Sequence, residues 1–274
     1  MQDAAQITRR AKSNLAFALR IMPRERRNDM VVFYAFCRLM DDLADAPGIP
    51  TEQRLDSLQA WKNGLVNGFS NPSTIQSEVI ELRDRREIKN EFLIEIIEGC
   101  EMDLQAQRFQ TWSDLSDYVW KVACAVGLVS IRLFGCRDAA SERYAIALGR
   151  ALQLTNILRD VREDFENGGR IYLPLDDLAR FGYSENDLCK QTYDERFQAL
   201  MHAQADRAEG FFQEAADALP SEDRRALLPA RIMGEIYRGL LSQMRNDGFQ
   251  VFQKRYRVSK SRKLAILAKH LIAR

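Results

Sequence analysis

The sequence predicts an all-α protein, folded as a single domain over residues 1–274. Three observations carry that expectation. Apolar residues recur at helical spacing through most of the chain. β-Branched residues do not alternate over any useful length, and Gly and Pro are scarce, at 14 and 7. With 46% hydrophobic and 29% charged residues, the composition is globular and supplies ample core.

The elements follow in order. Residues 29–46 are periodic and stop at Pro47-Gly48-Ile49-Pro50, after which Thr51 can start a second helix, 51–69. Asn71-Pro72-Ser73 is the next break. Periodic stretches 87–108, 112–134 and 141–167 come next, the last closed by Gly168-Gly169. Stretches 194–219 and 221–243 complete the series, divided at Leu219-Pro220-Ser221. No repeat, low-complexity tract or long linker divides the chain.

Several function classes are excluded early. The longest apolar stretches, such as 122–131, fall far short of the roughly 20 residues of a membrane span. The N-terminus has no run suited to a signal peptide, so a cytoplasmic protein is expected. Five scattered cysteines without a CxxC pair fit reduced thiols. Two histidines cannot build a His-rich metal site, so any metal must be held by oxygen, which points to a hard cation such as Mg²⁺. A nucleic-acid partner is not expected from a net charge of +1, and oligomeric state is left open. After Asp247 every charged residue is basic, from Lys254 and Arg255 to Arg274. Such a tail could attract phosphate or the anionic inner face of a membrane, or simply close the fold as a solvated helix.

Two acidic clusters stand out: Asp41-Asp42-Leu43-Ala44-Asp45 and Asp160-Val161-Arg162-Glu163-Asp164. In each, two aspartates four residues apart share one helix face. Like charges so placed destabilise an isolated helix by about 0.2–0.5 kcal/mol, a repulsion that a divalent cation would remove. Asn156 lies one turn before Asp160, Gln153 about two turns before it, and Arg38 three residues before Asp41. Neither cluster shows a basic partner pattern that would make it an ordinary salt-bridged surface.

The stretch from Leu148-Gly149 through Gln153, Asn156 and Arg159-Asp160 to Asp164, then Arg170-Ile171-Tyr172-Leu173-Pro174, resembles the signature of the squalene/phytoene synthase family. Tyr118-Val119-Trp120-Lys121-Val122-Ala123-Cys124-Ala125-Val126-Gly127 is similar to its other signature, and Tyr34 to Asp45 to its first aspartate-rich motif. Gly234-Glu235-Ile236-Tyr237 resembles a C-terminal helix of the pocket. The likeness runs from about Ser13 to about Lys263.

The resemblance implies an isoprenoid-synthase-type helical bundle with a central apolar cavity. It implies that Asp41, Asp45, Asp160 and Asp164 hold Mg²⁺, or Mn²⁺ in its place, with Asn156 and Gln153 beside the metal and the bound substrate. Arg38, Arg159 and Arg170 would contact diphosphate, with Ser13 at the entrance and Lys254 or Arg255 as a further phosphate site. Tyr34, Phe17, Tyr118, Val122, Tyr172 and Tyr237 would line the cavity, Tyr34 and Tyr237 steadying positive charge. The implied reaction joins two farnesyl diphosphates to presqualene diphosphate or squalene, as in hopanoid routes. Phytoene formation from geranylgeranyl diphosphate, as in carotenoid routes, is the alternative. No GxGxxG fingerprint is present, and the need for NADPH is left open. Residues 165–174 are expected to order over the diphosphate as a lid. A head-to-tail prenyltransferase, a terpene cyclase and a non-catalytic helical binding protein are the rivals. The Gln-x-x-Asn-x-x-Arg-Asp context and the Arg-x-Tyr-x-Pro after it argue against the first, the lack of the expected Ser and Glu spacing across Asn156–Asp164 against the second, and the intact Asp pairs against the third.

Overall fold

The computed structural model describes residues 21–136 and 138–272; Ser13 and Phe17 lie outside them. Helix α1, Arg24–Ala44, starts at Pro23, whose fixed φ suits a helix entry, and ends where Asp45 caps it. Its buried positions Met30, Phe33, Phe36, Met40 and Ala44 recur every three or four residues and form one stripe. Phe36 meets Trp61 of α2 (Thr51–Asn67) edge-on, with ring centroids 5.7 Å apart. A buried aromatic of this kind is worth roughly 1.5–3 kcal/mol.

The sequence assigned no helix to residues 74–85, yet α3 spans Thr74–Arg85. Its signal is a Ser73/Gln76 capping box, and its apolar stripe is only Ile75, Val79 and Leu82 in a charged stretch. Buried Asp29 of α1 takes Arg85 at 2.6 Å and Arg86 at 2.7 Å, tying this hairpin of helices together. Helix α4 is Asn90–Met102, shorter at both ends than the predicted 87–108, because Glu87 turns left-handed and the chain leaves the helix in a turn at Asp103 and Leu104.

The predicted helix 112–134 is three pieces: α5 (Trp112–Val119), a π-helical turn (Trp120–Cys124) and α6 (Ala125–Phe134). Such turns insert one extra residue and collect at functional sites. Helix α7, Ala139–Glu166, runs back antiparallel to α6 after Asp138 caps its start. The two approach closely enough that a Cβ on Gly149 would stand 3.0 Å from the Ala123 carbonyl oxygen.

Short helices α8 (Leu175–Arg180) and α9 (Glu185–Cys189) lead to α10 (Glu195–Asp217), which packs along α7. Helix α11, Leu228–Asn246, begins later than the predicted Ser221, since residues 221–227 form turns in which Asp223 accepts from Asp138 N and Ser141 Oγ. Helix α12, Lys260–Ile272, packs on α11. Among the described residues there is no strand, only one parallel bridge between Arg108 and Ile171, and no helix is long and apolar enough to cross a membrane.

Candidate active site

Both acidic clusters sit at the C-terminal ends of their helices, α1 and α7, where the helix dipole disfavours negative charge. Asp41 keeps solvent exposure, yet desolvation by the protein groups crowded around it pushes its carboxyl up to about 6 against the opposing pull of Arg38. The Cys100 thiol donates to Asp41 Oδ1 at 3.6 Å. Burial, and then the neighbouring Asp160, push Asp164 up to about 7. Such shifts mark carboxylates short of compensating charge.

Basic partners are nevertheless present, contrary to the sequence expectation, two from the same helices and two from distant segments. Arg38 pairs with Asp42 at 2.5 Å one turn on, rather than with Asp41. Arg170 reaches Asp45 at 2.9 Å. Arg159 donates to Asp160 Oδ1 at 2.8 Å, and Arg255 lies 3.1 Å from the same oxygen. Of the two candidates after Asp247, Arg255 therefore stands at the acidic cluster, while Lys254 pairs with Asp247. Arg162 explains the placement: it donates to the Phe252 carbonyl at 2.7 Å and clamps that segment onto α7.

One turn below Asp160 a cavity of about 240 Å³ opens between α6, α7 and α11. Val122, Gln153, Asn156 and Tyr237 line it, together with apolar residues such as Val126, Leu148 and Met233. Phe134, at the end of α6, and Tyr144, in the second turn of α7, stand at its far end. Tyr118 and Tyr172 are not among its walls. They are buried, stack on each other with centroids 5.1 Å apart, and pack against Phe109. Tyr34 is half-buried on α1 and outside this lining as well.

The predicted lid is largely fastened. Ile171 N donates to Gln107 O at 3.1 Å, Leu175 N to Phe109 O at 2.9 Å, and Tyr172 Oη to Asp103 at 2.6 Å. At the Asn167-Gly168-Gly169 turn, Arg108 donates to the Gly169 carbonyl.

The donor set suits a hard cation. It offers carboxylate and amide oxygens, and buried Asn156 Oδ1 and Glu163 Oε2 have no hydrogen-bond partner. Among the described residues no three His, Cys, Asp or Glu side chains converge on one point. An ion here would take one or two carboxylates and complete its shell with water and phosphate oxygens, as Mg²⁺ does. One carboxylate escaped the sequence reading altogether. Asp103, at the end of α4, belongs to no repeated motif, and its partners are far away in the chain.

The family model for squalene/phytoene synthase matches residues 8–262. The chain is 34% identical to the 15-cis-phytoene synthase of Synechococcus elongatus, over 97% of this chain and 90% of that one. It is 35% identical to the presqualene diphosphate synthase of Rhodopseudomonas palustris, over 95% and 93%. A dehydrosqualene synthase crystal structure superposes with a TM-score of 0.84 at 27% identity, covering 98% and 94% of the two chains. The squalene synthase HpnC of Alicyclobacillus acidocaldarius gives 0.80 at 26%, over 90% and 93%. The isoprenoid-synthase-type helical fold is thus matched along nearly its whole length, and the chain belongs to the squalene/phytoene synthase family of head-to-head prenyltransferases.

Proposed function

We propose that this enzyme condenses two farnesyl diphosphates to presqualene diphosphate and/or squalene, with Mg²⁺ as its metal; the squalene step consumes a hydride, which NADPH would supply. The observation that carries the reading is the layout of α7. Asp160 and Asp164 stand at its C-terminal end, Asn156 and Gln153 line the cavity just below, and Tyr144 stands at the far end. From Asn156 to Tyr144 the helix rises about 18 Å, a depth that suits an extended isoprenoid chain.

In this reading Asp41, Asp45, Asp160, Asp164 and Asn156 would hold the metal, which when bound supplies Lewis-acid assistance to diphosphate departure. Arg38, Arg159, Arg170 and Arg255 supply fixed positive charge for the leaving diphosphate. Tyr237, whose hydroxyl interacts with Arg159, stands where the polar mouth meets the apolar wall. Its ring can stabilise a cation by roughly 0.5–2 kcal/mol. Val122 and the other apolar walls keep water from quenching the cation. Ser13 and Phe17 belong to the same proposal as entrance and wall, and Tyr34 as a cation-facing ring. Phytoene synthesis from geranylgeranyl diphosphate is the second reading, favoured by the likeness to the cyanobacterial phytoene synthase.

We place the enzyme in the cytoplasm, touching the inner membrane face through α12. That helix exposes Leu264 (56%) and Ile272 (83%) beside the exposed bases Lys260 and Lys269. Sedimentation with anionic but not neutral vesicles would support this, and no difference between them would remove it.

The main test is incubation with Mg²⁺ and each diphosphate, followed by mass spectrometry. A C30 product from farnesyl diphosphate supports the first reading, and a C40 product moves it to the second. Mg²⁺-dependent binding without turnover would leave a binding protein and defeat both.

A further inference from the structure

Asp103 ends α4 at the seam between the two acidic helices. Its two carboxylate oxygens are both engaged by tyrosines: Tyr118 Oη donates to Oδ2 at 2.9 Å and Tyr172 Oη to Oδ1 at 2.6 Å. Its backbone carbonyl accepts from Arg170 at 2.8 Å, the same guanidinium nitrogen that pairs with Asp45. The charge of Asp103 is felt at Asp41 on one side and at Asp164 on the other. Tyr118 leaves α5 just before the π-helical turn, whereas Tyr172 comes from the strap after α7, so two separate segments meet on one carboxylate.

An ionised carboxylate is acceptor-only, so both phenol protons are committed to it. The two hydroxyls also lie in hydrogen-bond contact with each other, so the carboxylate and both phenols form one fixed network. Phenol oxygens fixed in that way present electron density with no reorganisation when positive charge develops nearby. We propose that Asp103 is a positioning residue for the head-to-head reaction: it fixes the hydroxyls of Tyr118 and Tyr172 between the two aspartate pairs. This inference rests on the proposed function, because it needs a reacting cation at that seam.

Substitution Asp103→Asn breaks the arrangement while keeping its size. The amide oxygen can accept from one tyrosine, but its NH₂ meets the other hydroxyl as a second donor. Turnover of the full chain with Mg²⁺ and farnesyl or geranylgeranyl diphosphate should fall at least tenfold, with KM changed less than threefold. In a Tyr118→Phe/Tyr172→Phe background the same substitution should cost less than twofold, since Asp103 acts through those hydroxyls. A similar fold-loss in both backgrounds, as a merely structural residue would give, overturns the proposal. So does an Asp103→Asn enzyme at full kcat.

Should Asp103→Asn fail to fold, Asp103→Glu carries the test, because it keeps the charge and displaces the acceptor by one methylene. A tenfold loss in kcat with KM held supports positioning; an unchanged kcat overturns it. An unsubstituted chain that consumes neither diphosphate sinks the proposed function and this inference together. An active chain indifferent to Asp103 sinks this inference alone.

Discussion

The first aspartate pair ends α1, with Asp45 as its capping residue and 61% of that side chain open to solvent. The second lies in the last two turns of α7, where only 15% of the Asp160 side chain is open. Both pairs sit at the unfavourable end of a helix dipole, so both need positive charge. They obtain it differently. Asp160 is held by Arg159 of its own helix and by Arg255, which Arg162 clamps into place through the Phe252 carbonyl. Among the described residues Asp45 has one cationic partner, Arg170, reaching across from the strap after α7. The second pair is a preorganised wall of the site, whereas the first is a door whose charge is borrowed from its neighbour.

The largest consequence concerns activity. Asp160→Ala removes a partly buried, doubly paired carboxylate next to the cavity, and turnover should fall roughly 10³-fold. Asp45→Ala removes a solvent-facing one, and a fall of roughly 10-fold to 10²-fold is expected. Steady-state kinetics with the preferred diphosphate measure both. Equal losses would show that the two pairs act as one unit and end the distinction.

Preorganisation of the second pair should also appear in stability, because α7 is held by backbone contact. A Cβ on Gly149 would press on the Ala123 carbonyl at 3.0 Å and the Cys124 Cα at 3.2 Å. Gly149→Ala should therefore cost about 1–3 kcal/mol in denaturant unfolding. Gly210 on exposed α10 has open space, and Gly210→Ala should instead stabilise by up to about 1 kcal/mol. If Gly149→Ala also stabilises, α7 has slack and the second pair is no better fixed than the first.

How far the sequence displays this contrast depends on the distance over which each feature is encoded. The i, i+4 aspartates and the Asn156 stripe are local, and periodicity places them on α7 without further help. Helix α3 hides because three apolar positions make too narrow a stripe among charges. The π-helical turn hides because one extra residue barely disturbs a period of 3.6. Asp103 joins Tyr118 and Tyr172, 15 and 69 residues on, and no spacing rule connects them. That Arg255 rather than Lys254 lies beside Asp160 follows from Arg162, 90 residues before its partner Phe252. Long-range charge pairing was the part of the site least visible in the chain.

Crowding of negative charge at the second pair predicts a function–stability conflict. The folded-state pKa of Asp164 is raised to about 7, above its unfolded value near 3.8. Its contribution is therefore fully present below about pH 4 and lost as pH rises through about 7. At pH 8 without metal the ionised carboxylate destabilises the fold, by about 1–2 kcal/mol after allowance for solvent screening. Asp164→Asn should then raise the metal-free Tm by a few degrees at pH 8, with the gain gone by about pH 4. Calorimetry across that range checks it, and a Tm difference independent of pH would point to packing rather than charge.

The smallest effect supplies a contrast of opposite sign. Glu235 on α11 accepts from Lys269 at 2.8 Å and interacts with His270 at 2.9 Å, joining α12 to the body. Burial alone would raise the Glu235 pKa, but these two partners hold it below its ordinary value. Burial depresses His270, against the pull of Glu235. Both contributions are present above the unfolded values, near 6.5 for His270 and 4.5 for Glu235, and fade as pH falls through the lower folded values. Acid should thus loosen α12, by less than about 1 kcal/mol, over the window in which it relieves Asp164. Hydrogen exchange corrected for intrinsic rates should show α12 amides losing protection between pH 7 and 4 while amides around Asp164 gain it. If both regions shift the same way, the titration is global, and the charge stored at the second pair is not local to it.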